Sequence, residues 1–467
     1  MTLHSLAALS IGFVAFTLIY FTARPAWRRL LLIAASLLFY CVIGSCIHLL
    51  TLLLTSFLGY FFALRIASTE DPGARKTYMR AGIILLAGNL ILLKCTGLLN
   101  EPYGFAPVDL LPIGLSFFTF QLIAYLTDVY RGMPAEQKPT VFLAFTAFFP
   151  KIVAGPIERA GHFLPQLHSL AAFSRSAAIE GTRLIIWGAF KKIVVADHLG
   201  IFVDRVYDDP HAYSGPAVVL ATGLYAFQIY FDFSGYTDIA LGAARVLGYR
   251  LTPNFNRPYC ATSIQDFWKR WHISFTSWLT DYVYAQLLRQ RLFRMKLYYL
   301  MLVSIMLTFL VSGLWHGVRW NFVIWGLLHG SYLVASLLLL KPWSIFANRV
   351  GLLQRPSLHK VLKMGSTFTL VCFGYLFFRG NSVADSLMMA RHLGTGWSNL
   401  GAIFSLIAGF DPWAFALGIL GIIAIMGYEA RPITGRLSWV ASFTCVVTVL
   451  LVSALHGVNR PFIYYQF

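Results

Sequence analysis

Apolar runs of about 20 residues, the length that carries an α-helix through the hydrocarbon core of a bilayer, recur from one end of this 467-residue chain to the other. They lie near 5–22, 29–45, 47–64, 82–98, 112–127, 139–154, 184–203, 215–233, 297–313, 321–340, 364–378, 413–428 and 438–456. Composition agrees, with 58% of residues hydrophobic and 12% charged and a mean hydropathy of +0.67. The pattern predicts an all-α polytopic integral membrane protein with roughly 11–13 membrane helices, the short and broken runs being re-entrant rather than spanning. No Gly/Ser-rich or Pro-rich linker interrupts it, so residues 1–467 read as a single membrane domain.

A formal net charge of +18 would suggest a nucleic-acid partner in a soluble protein. Here the basic residues fall in loops between apolar runs, where they set topology instead. Arg24, Arg28 and Arg29 follow the first run, and Arg65, Arg75, Lys76 and Arg80 follow the third, which places both loops in the cytoplasm and the N-terminus outside. The connection Asn100 to Asp109 carries Glu101 and Asp109 without a basic residue and reads as external. The first segment lacks the basic start of a cleavable signal and is expected to stay as a helix. Cys41, Cys46, Cys95, Cys260, Cys372 and Cys445 are scattered with no CxxC pair, so they read as packing residues rather than disulfides or metal ligands.

The flanks are clean spans, whereas the centre, about residues 111–330, is interrupted by Pro, Gly, Asp, Arg and His. Irregular backbone at membrane depth is tolerated only where protein shields it or a wet cavity lies beside it. The centre is therefore expected to hold the site, a constriction or central funnel walled by the flanking helices. Within it, Ser312-Gly313-Leu314-Trp315-His316-Gly317 puts an imidazole at the end of the run Leu297 to Val311. A histidine at that depth is a functional candidate by default, with a hydrogen-bonded core histidine as the bland alternative. The basic stretch Arg245 to Lys296, which includes Arg291 and Arg294, is expected to be cytoplasmic. Inside it Phe267, Trp271, Phe275, Trp278 and Tyr282 recur at helical spacing, which predicts one amphipathic helix at or dipping into the membrane interface and carrying His272. A plain membrane-surface anchor would look the same.

Four strings carry more than composition does: Leu111-Pro112-Ile113-Gly114-Leu115-Ser116-Phe117-Phe118 continuing to Asp128-Val129-Tyr130-Arg131-Gly132; Phe149-Pro150-Lys151-Ile152-Val153-Ala154-Gly155-Pro156-Ile157; Tyr230-Phe231-Asp232-Phe233-Ser234-Gly235-Tyr236-Thr237-Asp238; and Trp271-His272-Ile273-Ser274 paired with Leu314-Trp315-His316-Gly317. The set resembles the membrane-bound O-acyltransferase family, most closely its alginate O-acetyltransferase branch, from about residue 26 to the C-terminal Phe462-Ile463-Tyr464-Tyr465-Gln466-Phe467. The resemblance implies that family's membrane fold and transfer of an acyl group from a cytoplasmic thioester donor to an acceptor across the bacterial inner membrane. It implies a catalytic role for His316, with His272 as the second signature position. The implied donor is acetyl-coenzyme A, a co-substrate rather than a permanently bound cofactor. The implied partners are the lipid bilayer and a periplasmic acetyltransferase or polysaccharide-synthesis protein, with no nucleic acid. An extracellular polysaccharide such as alginate or cellulose would be the acceptor. Peptidoglycan O-acetylation and D-alanyl transfer to teichoic acid are alternatives within the same chemistry. An alternating-access transporter and an acyl-relay scaffold are alternatives outside it, and no internal repeat supports the transporter. Where the branch carries a Gly-Gly-Asn-Arg loop, this chain reads Ala285-Gln286-Leu287-Leu288-Arg289-Gln290-Arg291, and its N-terminus lacks the usual opening.

The residue types suit acyl transfer on their own terms. Moving an acyl group from a thioester to a hydroxyl needs a base for the hydroxyl proton and donors for the tetrahedral oxyanion. Imidazole, with an ordinary pKa of about 6.5, fits the first role. His316 is the candidate base, or else a transient acyl carrier. His272 is a second base, a proton relay or a donor to the thioester carbonyl. Asp232 and Asp238 either pair with a central arginine or orient a catalytic histidine. Arg257, Lys269 and Arg270 are candidates for the phosphates of coenzyme A, against ordinary positive-inside charge. His329, thirteen residues past His316, reads as structural or tunnel-lining. No HxxxH or HxxE spacing supports a metal site. Pro112, Gly114, Pro150, Gly155 and Pro156 are read as helix breakers.

Overall fold

A computed structural model of the chain describes residues 3–103, 111–289, 295–398 and 412–430, with isolated positions between 401 and 463. These residues form helices and turns and, among them, no strand. Eight of the described helices are long and apolar enough to cross a membrane, so the chain is an all-α multi-pass membrane protein. The remainder of the Asn100 to Asp109 connection beyond Tyr103, most of the run 438–456 with Cys445, the basic residues Arg291 and Arg294, and the terminal Tyr464 to Phe467 lie outside the described residues.

Two compact units divide the chain: Thr2–Ile186 with Tyr236–Pro253, and Trp187–Gly235 with Asn254–Phe467. The first holds α1 (Leu3–Thr22), α2 (Pro25–Ile43), α3 (Cys46–Ser68), α4 (Pro72–Tyr103), α5 (Leu115–Tyr130), α6 (Pro139–Ala147), α7 (Ala160–Ser169) and most of α8 (Arg175–Ala189). α3, α4 and α5 pack mutually. Only 22% of the span in α2 and 17% of that in α4 is buried, which marks them as lipid-facing. Two of the expected membrane runs are not spans here. The run 112–127 becomes the 16-residue, mostly buried α5. It starts at Gly114, whose φ of +74° favours glycine and whose missing Cβ leaves room for the Ile152 carbonyl. The run 139–154 stops being helical at Ala147, and Phe148 to Ala154 continue as buried turns around Pro150. The ammonium of buried Lys151 there meets the side-chain oxygen of Gln121.

The second unit holds α9 (Asp197–Asp208), the greater part of α10 (Gly215–Val246), α11 (Ile264–Arg270), α12 (Ile273–Leu279), α13 (Ala285–Arg289), α14 (Leu297–His316), α15 (Trp320–Leu338), α16 (Leu340–Arg349), α17 (Pro356–Arg379), α18 (Val383–His392) and α19 (Pro412–Ala430). The expected run 184–203 is not one regular helix: a π-helical turn, Phe190–Ala196, joins α8 to α9. α10 is 32 residues long and 72% of its membrane window is buried, so it is an interior span. Aromatic and aliphatic side chains of α9, α10, α11, α15 and α17 merge into one core, and the site lies inside it.

Candidate active site

α14 and α15 form an antiparallel hairpin closed by glycine. Gly313 in the first helix and Gly317, the residue just past its end, lie four apart, as do Gly326 and Gly330 on the second. A Cβ on Gly313 would collide with the Phe322 carbonyl, one on Gly326 with that of Phe309, and one on Gly330 would come 2.9 Å from Met306 Sδ. Small residues at this spacing let two membrane helices approach backbone to backbone. His316 is the last residue of α14 and is 4% exposed. Its ring is walled by the rings of Trp315 (centroids 4.4 Å apart), Phe378 (4.8 Å, edge-on) and Trp325 (5.1 Å, edge-on).

The amphipathic helix expected over 267–282 is not one helix and does not lie on a surface. α11 ends at Arg270, Trp271 is extended, and His272 takes the left-handed conformation with φ +44° before α12 begins. Phe267, Trp268, Trp271, Phe275 and Trp278 are all buried. The break is held from outside the segment. The Ile273 N–H donates to the Asn254 carbonyl at 2.9 Å, and the Ser274 N–H and hydroxyl donate to Asn254 Oδ1 at 3.2 and 2.6 Å. Nothing in the pattern of apolar residues signals this. The residue that pins it, Asn254, stands ten residues before the start of α11 and twenty before Ser274. A left-handed non-glycine residue stores strain that the surroundings must hold in place, and here it turns the His272 ring inward, edge-on to Phe233 at 4.7 Å and to Trp315 at 6.0 Å.

His272 and His316 therefore wall one cavity, and His329 of α15 is the third histidine in that wall. Trp325 lies between the last two, 5.1 Å from the His316 ring and 4.9 Å from that of His329. Ser312, one turn before His316 on α14, adds a hydroxyl, and Tyr375 and Phe378 of α17 and Ile229 of α10 complete the wall. No charged side chain is among the described residues lining it. Its clear interior is narrow, about that of one water molecule. Such a cavity suits a small acyl group beside imidazoles that can accept or donate a proton, with apolar walls that keep water from competing.

Arg257, Lys269 and Arg270 do not line this cavity. Arg257 and Lys269 are exposed. Arg270 Nε donates to Asp266 Oδ1 at 2.7 Å, one turn back on α11. Partial burial pushes the Asp266 carboxyl up, but the Arg270 and Thr262 hydrogen bonds and the charges of Arg270 and Lys269 outweigh it and hold the carboxyl below its ordinary range. The expected arginine partner of Asp232 is a lysine instead. Lys192 Nζ lies 2.5 Å from Asp232 Oδ1 and 2.7 Å from Asp197 Oδ1, and Asp232 Oδ2 accepts the Ile463 N–H at 2.8 Å. Lys192 enters from the π-helical turn, a position the apolar run 184–203 had hidden.

Comparison with known proteins agrees with this architecture. Residues 139–346 match the family model described as MBOAT, membrane-bound O-acyltransferase family. The "Probable alginate O-acetylase AlgI" of Pseudomonas fluorescens is 33% identical over 406 residues, covering 85% of this chain and 74% of that protein. The "Peptidoglycan O-acetyltransferase" of Helicobacter pylori is 31% identical over 422 residues, covering 82% and 77%. The "Teichoic acid D-alanyltransferase" of Bacillus subtilis is 28% identical over 275 residues, covering 57% and 68%.

Proposed function

This chain belongs to the membrane-bound O-acyltransferase family and is an O-acyltransferase, and from that premise we propose that it carries acetyl groups from cytoplasmic acetyl-coenzyme A across the bacterial inner membrane to an extracellular polysaccharide of the alginate or cellulose kind. The observation that carries the reading is the convergence of His316, at the end of α14, and His272, in the break between α11 and α12, on one narrow and uncharged cavity. His316 takes the proton of an acceptor hydroxyl as its oxygen attacks the thioester carbonyl. The new O–C bond forms, the C–S bond breaks, and the proton passes to the departing thiolate. His272 holds the carbonyl oxygen as negative charge develops on it. The exposed Arg257 and Lys269, with the half-buried Arg270 at the end of α11, would meet the donor's phosphates at its cytoplasmic entry. A periplasmic acetyltransferase or polysaccharide-synthesis protein would take the product onward. Peptidoglycan as acceptor is the second reading, favoured by the match of 82% of the chain to the H. pylori enzyme.

The test is purified protein in sealed vesicles given isotope-labelled acetyl-coenzyme A on the face bearing Lys269, with a soluble hydroxyl acceptor inside. Label is expected in an alkali-labile ester inside the vesicle, with matching thiol outside. Thiol release with label remaining outside would remove the cross-membrane part of the reading, and no thiol release at all would remove the donor.

A further inference from the structure

Neither the shared chemistry of the family nor the reading above gives His329 a task. It is 1% exposed, it lines the cavity, and within the described residues neither of its ring nitrogens meets a hydrogen-bond partner. A buried imidazole without a partner is costly unless something else supplies one. The helix behind it packs close without offering a polar group: a Cβ on Gly374 of α17 would come 2.8 Å from His329 Nε2, so the glycine lets that backbone approach the ring. The Ser312 hydroxyl, in the same cavity, is also buried without a partner there. It forgoes the return bond that its neighbour Thr308 makes to the Ser304 carbonyl at 2.6 Å. Two polar groups in one apolar cavity thus stand ready for a guest that brings hydrogen-bonding groups of its own.

Position says which guest. His329 packs at the level of Phe309, seven residues before His316 and so about 10 Å along α14 toward its N-terminal end. That end, the far end of α15 and the start of α17 carry Arg289, Lys296, Lys341, Arg349, Lys360 and Lys363, which makes it the cytoplasmic side. His329 therefore lies on the donor's side of His316. Resting on the donor assigned above, we infer that His329, with Ser312, binds an amide of the thioester-bearing arm, a pantetheine-type chain, and so sets the acyl carbon beside His316. The flanking faces of Trp268 and Trp325, 5.1 and 4.9 Å from its ring, suit the methylenes between such amides. The arm could belong to coenzyme A or to a carrier protein.

Steady-state rates with acetyl-coenzyme A and with S-acetyl-pantetheine, which lacks the nucleotide, test this in reconstituted enzyme. His329→Phe is expected to raise KM about tenfold for both donors, with kcat changed about threefold or less, because a contact made equally to ground and transition states shows in KM. His329→Gln, which keeps an amide donor, is expected to recover part of the loss. Gly374→Ala, whose Cβ would push the imidazole out of place from the Nε2 side while leaving it in the chain, is expected to reproduce it, and it carries the test if His329→Phe does not accumulate. Lys269→Gln with Arg270→Gln is expected to raise KM for acetyl-coenzyme A alone. If instead it leaves both donors unaffected while the His329 effect persists, the arm is supplied by a carrier protein. An unchanged KM for both donors in His329→Phe and Gly374→Ala overturns the inference while leaving the donor intact. Wild-type enzyme that consumes neither thioester overturns the donor, and this inference with it.

Discussion

Ile229 and Asp232 sit less than one turn apart on α10, yet they face two opposite solutions to polarity inside a membrane protein. On the Ile229 side, three imidazoles and a serine share a cavity with aromatic rings and no charged neighbour among its lining residues. On the Asp232 side, Lys192 is shared by two carboxylates, and a backbone N–H from Ile463 fills one remaining lone pair. The second arrangement satisfies its groups within the fold, as buried charges require. The first leaves His329 and Ser312 without a hydrogen-bond partner among the described residues. The difference teaches which side to test for chemistry: the uncharged cavity that gathers the histidines, rather than the ion-paired cluster.

If that contrast is right, the largest effect belongs to the cavity and to rate alone. His316→Ala removes the proton acceptor while leaving the glycine-closed hairpin intact. Turnover is expected to fall by about a thousandfold, with abundance and thermal midpoint in detergent close to wild type. Assay of acetyl ester formed per mole of folded protein checks it, and residual turnover within about tenfold of wild type would remove His316 from the role of base.

The ion-paired side should behave in the opposite way. Lys192→Met leaves two buried carboxylates without their cation, for which about 3–5 kcal/mol of stability is the expected loss. Asp232→Asn keeps the Lys192–Asp197 pair and an oxygen for the Ile463 N–H, so it should cost less. Thermal midpoints and membrane abundance report the order, and turnover per folded molecule of Asp232→Asn should stay near wild type. A folded Lys192→Met enzyme that has lost catalysis would break the comparison, because Lys192 would then belong to the chemistry.

Asn254 stands between the two behaviours. Its side chain and carbonyl hold the left-handed turn at His272, so Asn254→Ala is expected to lower kcat about tenfold and the thermal midpoint modestly, since it releases a strained residue. Loss of stability without loss of kcat per folded molecule would mean that the His272 ring keeps its place unaided.

How far the sequence announces these features follows from how local each one is. The membrane class, the eight long spans and the two histidines sit in contiguous strings whose spacing is set by helix geometry, so they are readable. The breaks are not, because they depend on residues far along the chain. Periodicity makes 267–282 a helix until Asn254 reaches across and splits it. The run 184–203 hides a π-helical turn whose purpose, delivering Lys192 to Asp232, appears only in three dimensions. His329 was legible as a residue and not as a site, since no string of residues shows that its ring nitrogens meet no hydrogen-bond partner among the described residues. The same holds for Gly374, silent in a helix until its close approach to His329 Nε2 is visible.

The smallest effect is expected at the rim, where charge is paired in contact with solvent. Ser263 caps α11 by accepting the Asp266 N–H at 3.1 Å, while Asp266 accepts from Thr262 and from Arg270. Both partners of the ion pair keep roughly three-tenths of their side-chain surface exposed, so solvent screens it and Asp266→Asn should cost only a few tenths of a kcal/mol. The sign with pH is fixed by the lowered carboxyl. Its folded pKa lies below the unfolded one of about 3.9, so its contribution is complete above that value and fades as pH falls toward the folded value. The gap in thermal midpoint between wild type and Asp266→Asn should therefore be constant from about pH 7 to pH 5 and narrow below about pH 4. A gap that widens on acidification would mean that Asp266 is held up by its partial burial rather than down by Arg270, and that this rim resembles the buried cluster more than the solvent it borders.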